Sequence, residues 1–451
     1  MIQGKVEVTK VDYDEAVGYL MNLGRFGSRP GLHRITRLMG VLGNSQDSLS
    51  VIHVAGTNGK GSTCAFLERA LRHLGFRVGL FSSPHLQSIR ERIAINGKWI
   101  SREAFARVIS QVQKAAAAAV AEGQEHPTFF EMLTAAMYYH FHQENVDFVV
   151  QEVGLGGRFD ATNVVAHPLV TLITDVSLDH TQVLGNNIGD IAWEKAGIVK
   201  PQVPTVTCVS QPEALQRIEA VCRERSSPLT IVHKTGLAAS PKVGFDVLRH
   251  DEAGGDFSFW GKRWDCKAGH TKMLGEHQIR NASLALAALE EIPEIKDGEG
   301  VCQGIAETCW PGRLEKVQMS PRVLLDGAHN RQAAQMLAET LRSLYPTRRI
   351  HGAMGFLPGK DWQGMLDEMA PVLDGKIIAL PFPSSLDTKE IAVEAKDRLY
   401  RALTIDVGAS IADCLRGFIA SIDKEDVLII WGSLYLVGDV RKVLFRGMVS
   451  D

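Results

Sequence analysis

Seven consecutive residues, Gly56-Thr57-Asn58-Gly59-Lys60-Gly61-Ser62, set three glycines around one lysine, between a β-rich run (SLSVIHVA) and a helical one (TCAFLERALRHLG). A bound polyphosphate needs this arrangement. Glycines let backbone N–H groups approach the oxygens, the helix start adds partial positive charge, and Lys60 neutralises the β/γ oxygens. The loop departs from GxxxxGK[ST], because Val54 occupies the first glycine position and Gly61 separates Lys60 from Ser62. A glycine turn capped by a surface lysine is the competing reading. Farther along, Glu152 follows the apolar run FVV and precedes a glycine-rich turn. A carboxylate at a strand end, across from a phosphate loop, is where nucleotide-bound Mg²⁺ finds a hard oxygen ligand.

These groups must be carried by regular elements, and the pattern around them alternates. Residues 48–81 read as a βαβ unit, followed by helices near 101–122 and 129–145 and strands at 147–151 and 168–174. A helix near 187–197 and a strand around 203–208 complete the series. Such alternation predicts an α/β domain with a parallel sheet covered by helices. Residues 225–272, rich in Gly, Ser, Trp and Asp, read instead as a small β-meander. After WPGRLE a second strand–helix series begins, so a large N-terminal domain over 1–310 and a smaller Rossmann-like domain over 311–451 are expected. In the second, VLLDG, IHGAMGF, KIIALPF and VLIIWGS read as buried strands whose carboxyl ends carry DGAHN, GFLPGKD and GSLY, where ligands of open α/β sheets sit.

Composition narrows the class. A chain of 451 residues, 45% hydrophobic and 22% charged, is an ordinary globular protein of two or three domains. The net charge of −3 leaves no basic footprint for nucleic acid, so small-molecule partners are expected. Seven cysteines without a CxxC pair fit reduced thiols and the cytoplasm. The opening residues hold no apolar run for a signal peptide, and no stretch is apolar enough to span a membrane.

Several motifs, in order, resemble those of the folylpolyglutamate synthase and dihydrofolate synthase family, a branch of the Mur ligase superfamily. They are AGTNGKGS at 55–62, SSPHL at 82–86 with ERI and ING behind it, EVGLGGRFDATN at 152–163, DHTQVLG at 179–185, EKAGI at 194–198, HQIRNASLALAAL, WPGRLE, DGAHN and GSLY. The resemblance implies an ATP-dependent ligase that joins L-glutamate to dihydropteroate or to a folate glutamyl tail through an acyl phosphate. It implies ATP and two Mg²⁺ ions in a large phosphate-loop ATPase domain of Mur-ligase type, faced by the smaller C-terminal domain, in a monomer.

Carried over residue by residue, the family pattern implies Ser83, Glu152 and His180 as magnesium ligands and a carbamylated Lys195. Without the resemblance, Lys195 is an ordinary helix lysine pairing Glu194 or Asp190, and His180 a structural histidine. Asn281 is implied against adenine, Arg313 against nucleotide oxygens, and Asp326 and His329 against ribose and phosphate. Thr128 and Phe130 are implied at the pterin, and Ser433 at the incoming glutamate, although Asn281 and Ser433 also read as plain helix caps and Arg313 as an interdomain ion pair. Lys360 and Asp361 are weaker candidates, since Gly359 replaces the acidic residue that usually precedes the lysine. Gln151 stands where the family is usually apolar. A monofunctional folylpolyglutamate synthase is the alternative within the class. Mur ligases acting on UDP-sugars are disfavoured because few residues precede the phosphate loop. A nucleotide kinase or regulatory NTPase would require neither EKAGI nor DGAHN.

Overall fold

The computed structural model describes residues 12–23, 30–235, 242–399 and 410–445. The opening residues 1–11, read above for a signal peptide, lie outside the described residues. Among those described, an eight-stranded sheet comprises β1 (Val51–Ala55), β2 (Val78–Phe81), β3 (Ile93–Ile95), β4 (Lys98–Trp99), β5 (Phe148–Glu152), β6 (Val170–Ile173), β7 (Thr205–Thr207) and β8 (Leu229–Ile231). Their spatial order is β4-β3-β2-β5-β1-β6-β7-β8. From β2 to β8 every pairing is parallel, which brings the carboxyl ends of β2, β5, β1 and β6 to one edge.

Two features of this sheet depart from the sequence reading. The segment ERIAINGK is not only a loop: β3 and β4 form an antiparallel hairpin at the sheet edge, turned by Asn96 (φ 50°) and Gly97 (φ 74°). An Asn-Gly pair with both φ positive is what a two-residue hairpin of matching twist demands. β8, from the stretch expected to be a meander, joins the large sheet beside β7.

Central strands β1 and β5 are buried along their whole length, as strands covered on both faces must be. One face packs against helices Tyr13–Leu23, His33–Val41, Arg102–Ala121 and Phe129–Gln143, with Leu20, Leu38, Phe105 and Phe141 in the core. The alanine run lies in the third of these, whose start is capped by Ser101 accepting from Ala104 N. The other face packs against helices Lys60–His73, Glu276–Glu290 and Gly298–Ala306. Gln151 and His53 are polar side chains inside this core, and both are bonded. Tyr138 O–H donates to Gln151 Oε1 at 2.6 Å, Gln151 Nε2 donates to Thr162 O at 3.0 Å, and His53 Nε2 meets Thr162 Oγ1 at 2.9 Å. Gln151 is therefore accommodated by a paired network in place of apolar packing.

The remainder of the expected meander is present as β9 (His233–Lys234), β10 (Gly244–Asp251), β11 (Gly254–Trp260) and β12 (Asp265–Thr271), in the order β12-β11-β10-β9. Residues 236–241 of that stretch lie outside the described residues. The final sheet contains β13 (Glu315–Met319), β14 (Arg322–Leu325), β15 (Ile350–Met354), β16 (Ile377–Ala379) and β17 (Val427–Trp431), ordered β13-β14-β17-β15-β16. Only β13 runs antiparallel, so β14, β15 and β17 end together. Among the described residues no helix is long and apolar enough to cross a membrane.

Candidate active site

The strand ends of the two domains enclose two adjoining cavities. The first, of about 170 Å³, is lined by Gly56, Thr57, Asn58, Gly59, Lys60, Gly61 and Ser62, and by Ser83, Glu152, His180, Lys195, Asn281, Arg313, Asp326 and His329. The second, of about 640 Å³, is lined by Thr128, Phe130 and Ser433, and again by Ser83, His180 and His329. Every residue singled out from the family motifs except Asp361 thus lies on one cavity or both.

The loop after β1 is fixed by close approach rather than by side-chain bulk. A Cβ on Gly56 would fall 1.8 Å from Thr174 Oγ1, and one on Gly59, at φ 86°, would fall 2.6 Å from Asn281 Oδ1. Only glycine fits at either position. Thr174 Oγ1 donates to Asn58 O at 2.6 Å, and Thr57 exchanges hydrogen bonds with the Ser177 backbone. Helix Lys60–His73 begins directly after the loop, and Lys60 Nζ rests on Thr57 O at 3.1 Å.

Asn281 lies in the second turn of its helix, whose N-cap is Gly275, so the plain-cap reading does not hold. Asp326 lines the first cavity with Arg313 and His329, and its carboxylate is also held by the backbone. Leu314 N and Ala328 N each donate to one of its carboxylate oxygens at 2.8 Å, so it shapes the loop that carries Arg313. Thr128 and Ser433 are both helix N-caps, accepting from Glu131 N and Tyr435 N, and each hydroxyl keeps its proton for donation. Phe130 is pressed against Gly154, where a Cβ would stand 2.5 Å from Phe130 Cζ. Asp361 caps helix Trp362–Met369 through Gly364 N and takes no part in the cavities.

Charge is concentrated where the cavities meet. Glu152 is buried, which raises its carboxyl against the opposing pull of Lys60, and one oxygen accepts from Ser83 N at 2.9 Å. Lys195 is also buried and does not pair Glu194 or Asp190; its Nζ donates to Gly56 O at 2.9 Å. Burial, reinforced by Lys60, lowers its amine to about 7. His329 is lowered to about 4 by burial and by Lys360, and its Nδ1 meets Gly327 O at 2.9 Å.

Three groups passed over or ranked low in the sequence, Lys360, Asp179 and Asn330, stand at the centre. Lys360 Nζ donates to Asp179 Oδ1 at 2.6 Å and lies 3.4 Å from His180 Nε2. Asn330 Nδ2 donates to Asp179 Oδ2 at 3.2 Å and to Asn58 Oδ1 at 3.0 Å. Burial alone would raise the Asp179 carboxyl, but Lys360, His180 and His329 together hold it well below the usual carboxylate range. Arg92, on the second cavity, donates from Nε to His85 Nδ1 at 2.9 Å. The signals for Asp179 and Asn330 were present, inside DHT and DGAHN, but each was overshadowed by its histidine.

Comparison with known proteins agrees with this geometry. Residues 54–289 match the family model for the Mur ligase middle domain, and residues 313–443 match that for the dihydrofolate synthetase C-terminal domain. The chain is 36% identical to a dihydrofolate synthase/folylpolyglutamate synthase of Bacillus subtilis, covering 96% of this chain and 99% of the relative. Among solved structures it is similar to Escherichia coli FolC in complex with DHPP and ADP, at 30% identity and a TM-score of 0.85 over 97% of this chain and 99% of that one. It is also similar to Mycobacterium tuberculosis folylpolyglutamate synthase complexed with ADP and AMPPCP, at 32% identity and a TM-score of 0.84 over 95% and 99%. With family models matched on both domains and relatives aligned along nearly the whole length, the chain belongs to the folylpolyglutamate synthase/dihydrofolate synthase family of Mur-type ligases.

Proposed function

We propose that this protein joins L-glutamate to dihydropteroate and to the γ-carboxylate of folate glutamyl tails, using ATP to form an acyl phosphate. The observation that carries this reading is the junction of the two cavities at Ser83, Gly154, Leu155, His180 and His329. A nucleotide laid along the phosphate loop ends where an acceptor in the second cavity would present its carboxylate.

The residues then take distinct roles. Residues 1–310 hold the nucleotide, with Lys60 leaving Thr57 O for the β/γ oxygens and Asn281 against the adenine. Residues 311–451 supply Arg313 for nucleotide oxygens and Asp326 and His329 for ribose and phosphate. Thr128 and Phe130 face the pterin, and Ser433 offers a hydroxyl to the incoming glutamate. Ser83, Glu152 and His180 are suited to magnesium: Glu152 is a buried carboxylate with an oxygen not bonded by Ser83 N, and His180 stands on both cavities. Among the described residues no three His, Cys, Asp or Glu side chains converge as a metal cage, which suits an ion held by one or two carboxylates and phosphate oxygens. Bound there, Mg²⁺ supplies neutralisation of charge during phosphoryl transfer. Lys195, buried and near neutrality in pH, is suited to addition of CO₂.

The acceptor carboxylate oxygen attacks Pγ, the bond from Pγ to the bridging oxygen breaks, and ADP departs. The glutamate amine next attacks the acyl carbon and expels phosphate, while the closed cleft excludes water that would hydrolyse the acyl phosphate. The seven cysteines, none of them in a disulfide among the described residues, support work in a reducing cytoplasm, and we take the active form to be a monomer. The test is ADP release with ATP, Mg²⁺ and L-glutamate, comparing dihydropteroate, tetrahydrofolate and no acceptor, with products identified by mass. One added glutamyl unit on both acceptors establishes the bifunctional enzyme, and on tetrahydrofolate alone the monofunctional one. No stimulation by either would overturn the folate reading.

A further inference from the structure

We infer that Arg34, on helix His33–Val41 and outside the motifs that mark the family, is a positioning residue for the acceptor: it fixes residues 125–131 so that the Thr128 hydroxyl turns its proton into the second cavity. The inference deepens the acceptor reading above and rests on it. Its first support is an unusual burial. Thr128 and Glu131 form a capping box at the start of helix Phe129–Gln143. The Glu131 side chain is only 5% exposed, and a buried carboxylate is stable only when paired and hydrogen-bonded. Arg34 is that partner. Its side chain is 3% exposed, and its Nε lies 3.1 Å from both Glu131 Oε1 and Oε2.

The second support is that one guanidinium grips both ends of the segment. Arg34 Nη1 donates to Glu125 Oε2 at 3.2 Å, so Glu125 and Glu131 bracket the run that carries Thr128 and Phe130, both on the acceptor cavity. The Glu125 contact lies open to water and contributes little, whereas the Glu131 contact is dry and is the one that holds. Lysine could not take this place, since a point charge lacks the planar fork that reaches two carboxylates at once.

The third support is what this grip does to the hydroxyl. Glu131 Oε2 accepts from Thr128 N at 2.7 Å, while Glu131 N donates to Thr128 Oγ1 at 3.3 Å. The hydroxyl oxygen is thus occupied by a backbone donor, and its proton is left for an acceptor in the cavity. A pterin offers ring nitrogens and a carbonyl oxygen for that bond. Without Arg34, Glu131 would be a buried, unpaired carboxylate that must protonate or swing toward water, and either change loosens the box and lets Thr128 turn. None of Arg34, Glu125 and Glu131 lines the nucleotide cavity, so the effect falls on one substrate.

The experiment measures Kd for dihydropteroate with AMPPCP bound, Kd for AMPPCP alone, and thermal unfolding. It compares wild type with Arg34→Met, Arg34→Lys, Thr128→Val and the double variant Arg34→Met/Glu131→Leu. Expected for Arg34→Met is a dihydropteroate Kd raised about tenfold, the worth of one directed hydrogen bond, with the AMPPCP Kd within about threefold of wild type. Arg34→Lys should lie between the two. The double variant leaves no unpaired buried charge and should recover thermal stability over Arg34→Met. It should nevertheless keep the raised dihydropteroate Kd, because Thr128 N has lost its acceptor. Recovery of acceptor affinity together with stability would make the pair purely structural and overturn the inference, as would equal weakening of both ligands. Wild-type dihydropteroate affinity in Arg34→Met, or in Arg34→Lys should the first not fold, would overturn it too. Thr128→Val separates the inference from the reading beneath it: wild-type dihydropteroate affinity in that variant would overturn the placing of the pterin itself.

Discussion

The side chain of Lys195 crosses from the end of its helix to the phosphate loop, and its Nζ lies 2.9 Å from the carbonyl oxygen of Gly56. A buried amine lowered to about 7 is half neutral near physiological pH, and only the neutral amine adds CO₂. Activity should therefore fall as pH drops below about 7, and bicarbonate should offset the fall. Lys195→Ala should abolish turnover with ATP binding largely intact, as calorimetric titration would show; full retained activity would defeat the carbamate. The effect on stability has a definite sign. Between about 7 and the ordinary lysine value of 10.5 the unfolded chain binds the extra proton, so this group makes stability rise with pH through that window and is lost as a contribution below it.

Asn330 serves two ends at once. Its Oδ1 caps helix Arg331–Leu344 through Ala333 N at 2.9 Å, and its Nδ2 bridges Asn58 and Asp179 in the other domain. Asn330→Asp keeps an excellent cap but removes the donor and sets a second carboxylate against Asp179. With each lost hydrogen bond contributing about 0.5–1.5 kcal/mol, kcat/KM should fall about tenfold or more while thermal unfolding changes little. A large drop in melting temperature with unchanged kcat/KM would argue for a purely structural residue.

Gly154 is the floor under Phe130. An added methyl at 2.5 Å from Phe130 Cζ must displace the ring, at a cost of about 1–3 kcal/mol. Gly154→Ala should raise KM for tetrahydrofolate far more than KM for ATP. Steady-state kinetics in each substrate checks this, and an equal rise in both would remove Phe130 from the acceptor site.

The buried trio Tyr138, Gln151 and Thr162 makes a prediction about stability alone. Tyr138→Phe or Gln151→Leu leaves a buried partner unsatisfied and should cost about 1–3 kcal/mol in denaturant unfolding. The double variant should cost clearly less than the sum, because it removes both halves of the 2.6 Å bond together. Strict additivity would show that the network is not cooperative.

What the sequence by itself determined is whatever neighbouring residues control. The phosphate loop was legible because glycines, lysine and the strand–helix context lie within a dozen positions. The α/β alternation was legible because apolar periodicity is local, and the strand-end motifs of the second domain followed from it. The hairpin at Asn96-Gly97 carried an equally local turn signal that the family motif around it obscured.

Tertiary structure alone decided the relations between distant segments. Asp179 and Lys360 are 181 positions apart, and Asn58 and Asn330 are 272 apart. Their contacts depend on how two separately folded sheets dock, which no periodicity encodes. The same packing placed β8 in the large sheet and gave Gln151 its partners. It also set Asp326 against backbone N–H groups, because a buried carboxylate needs hydrogen-bond donors.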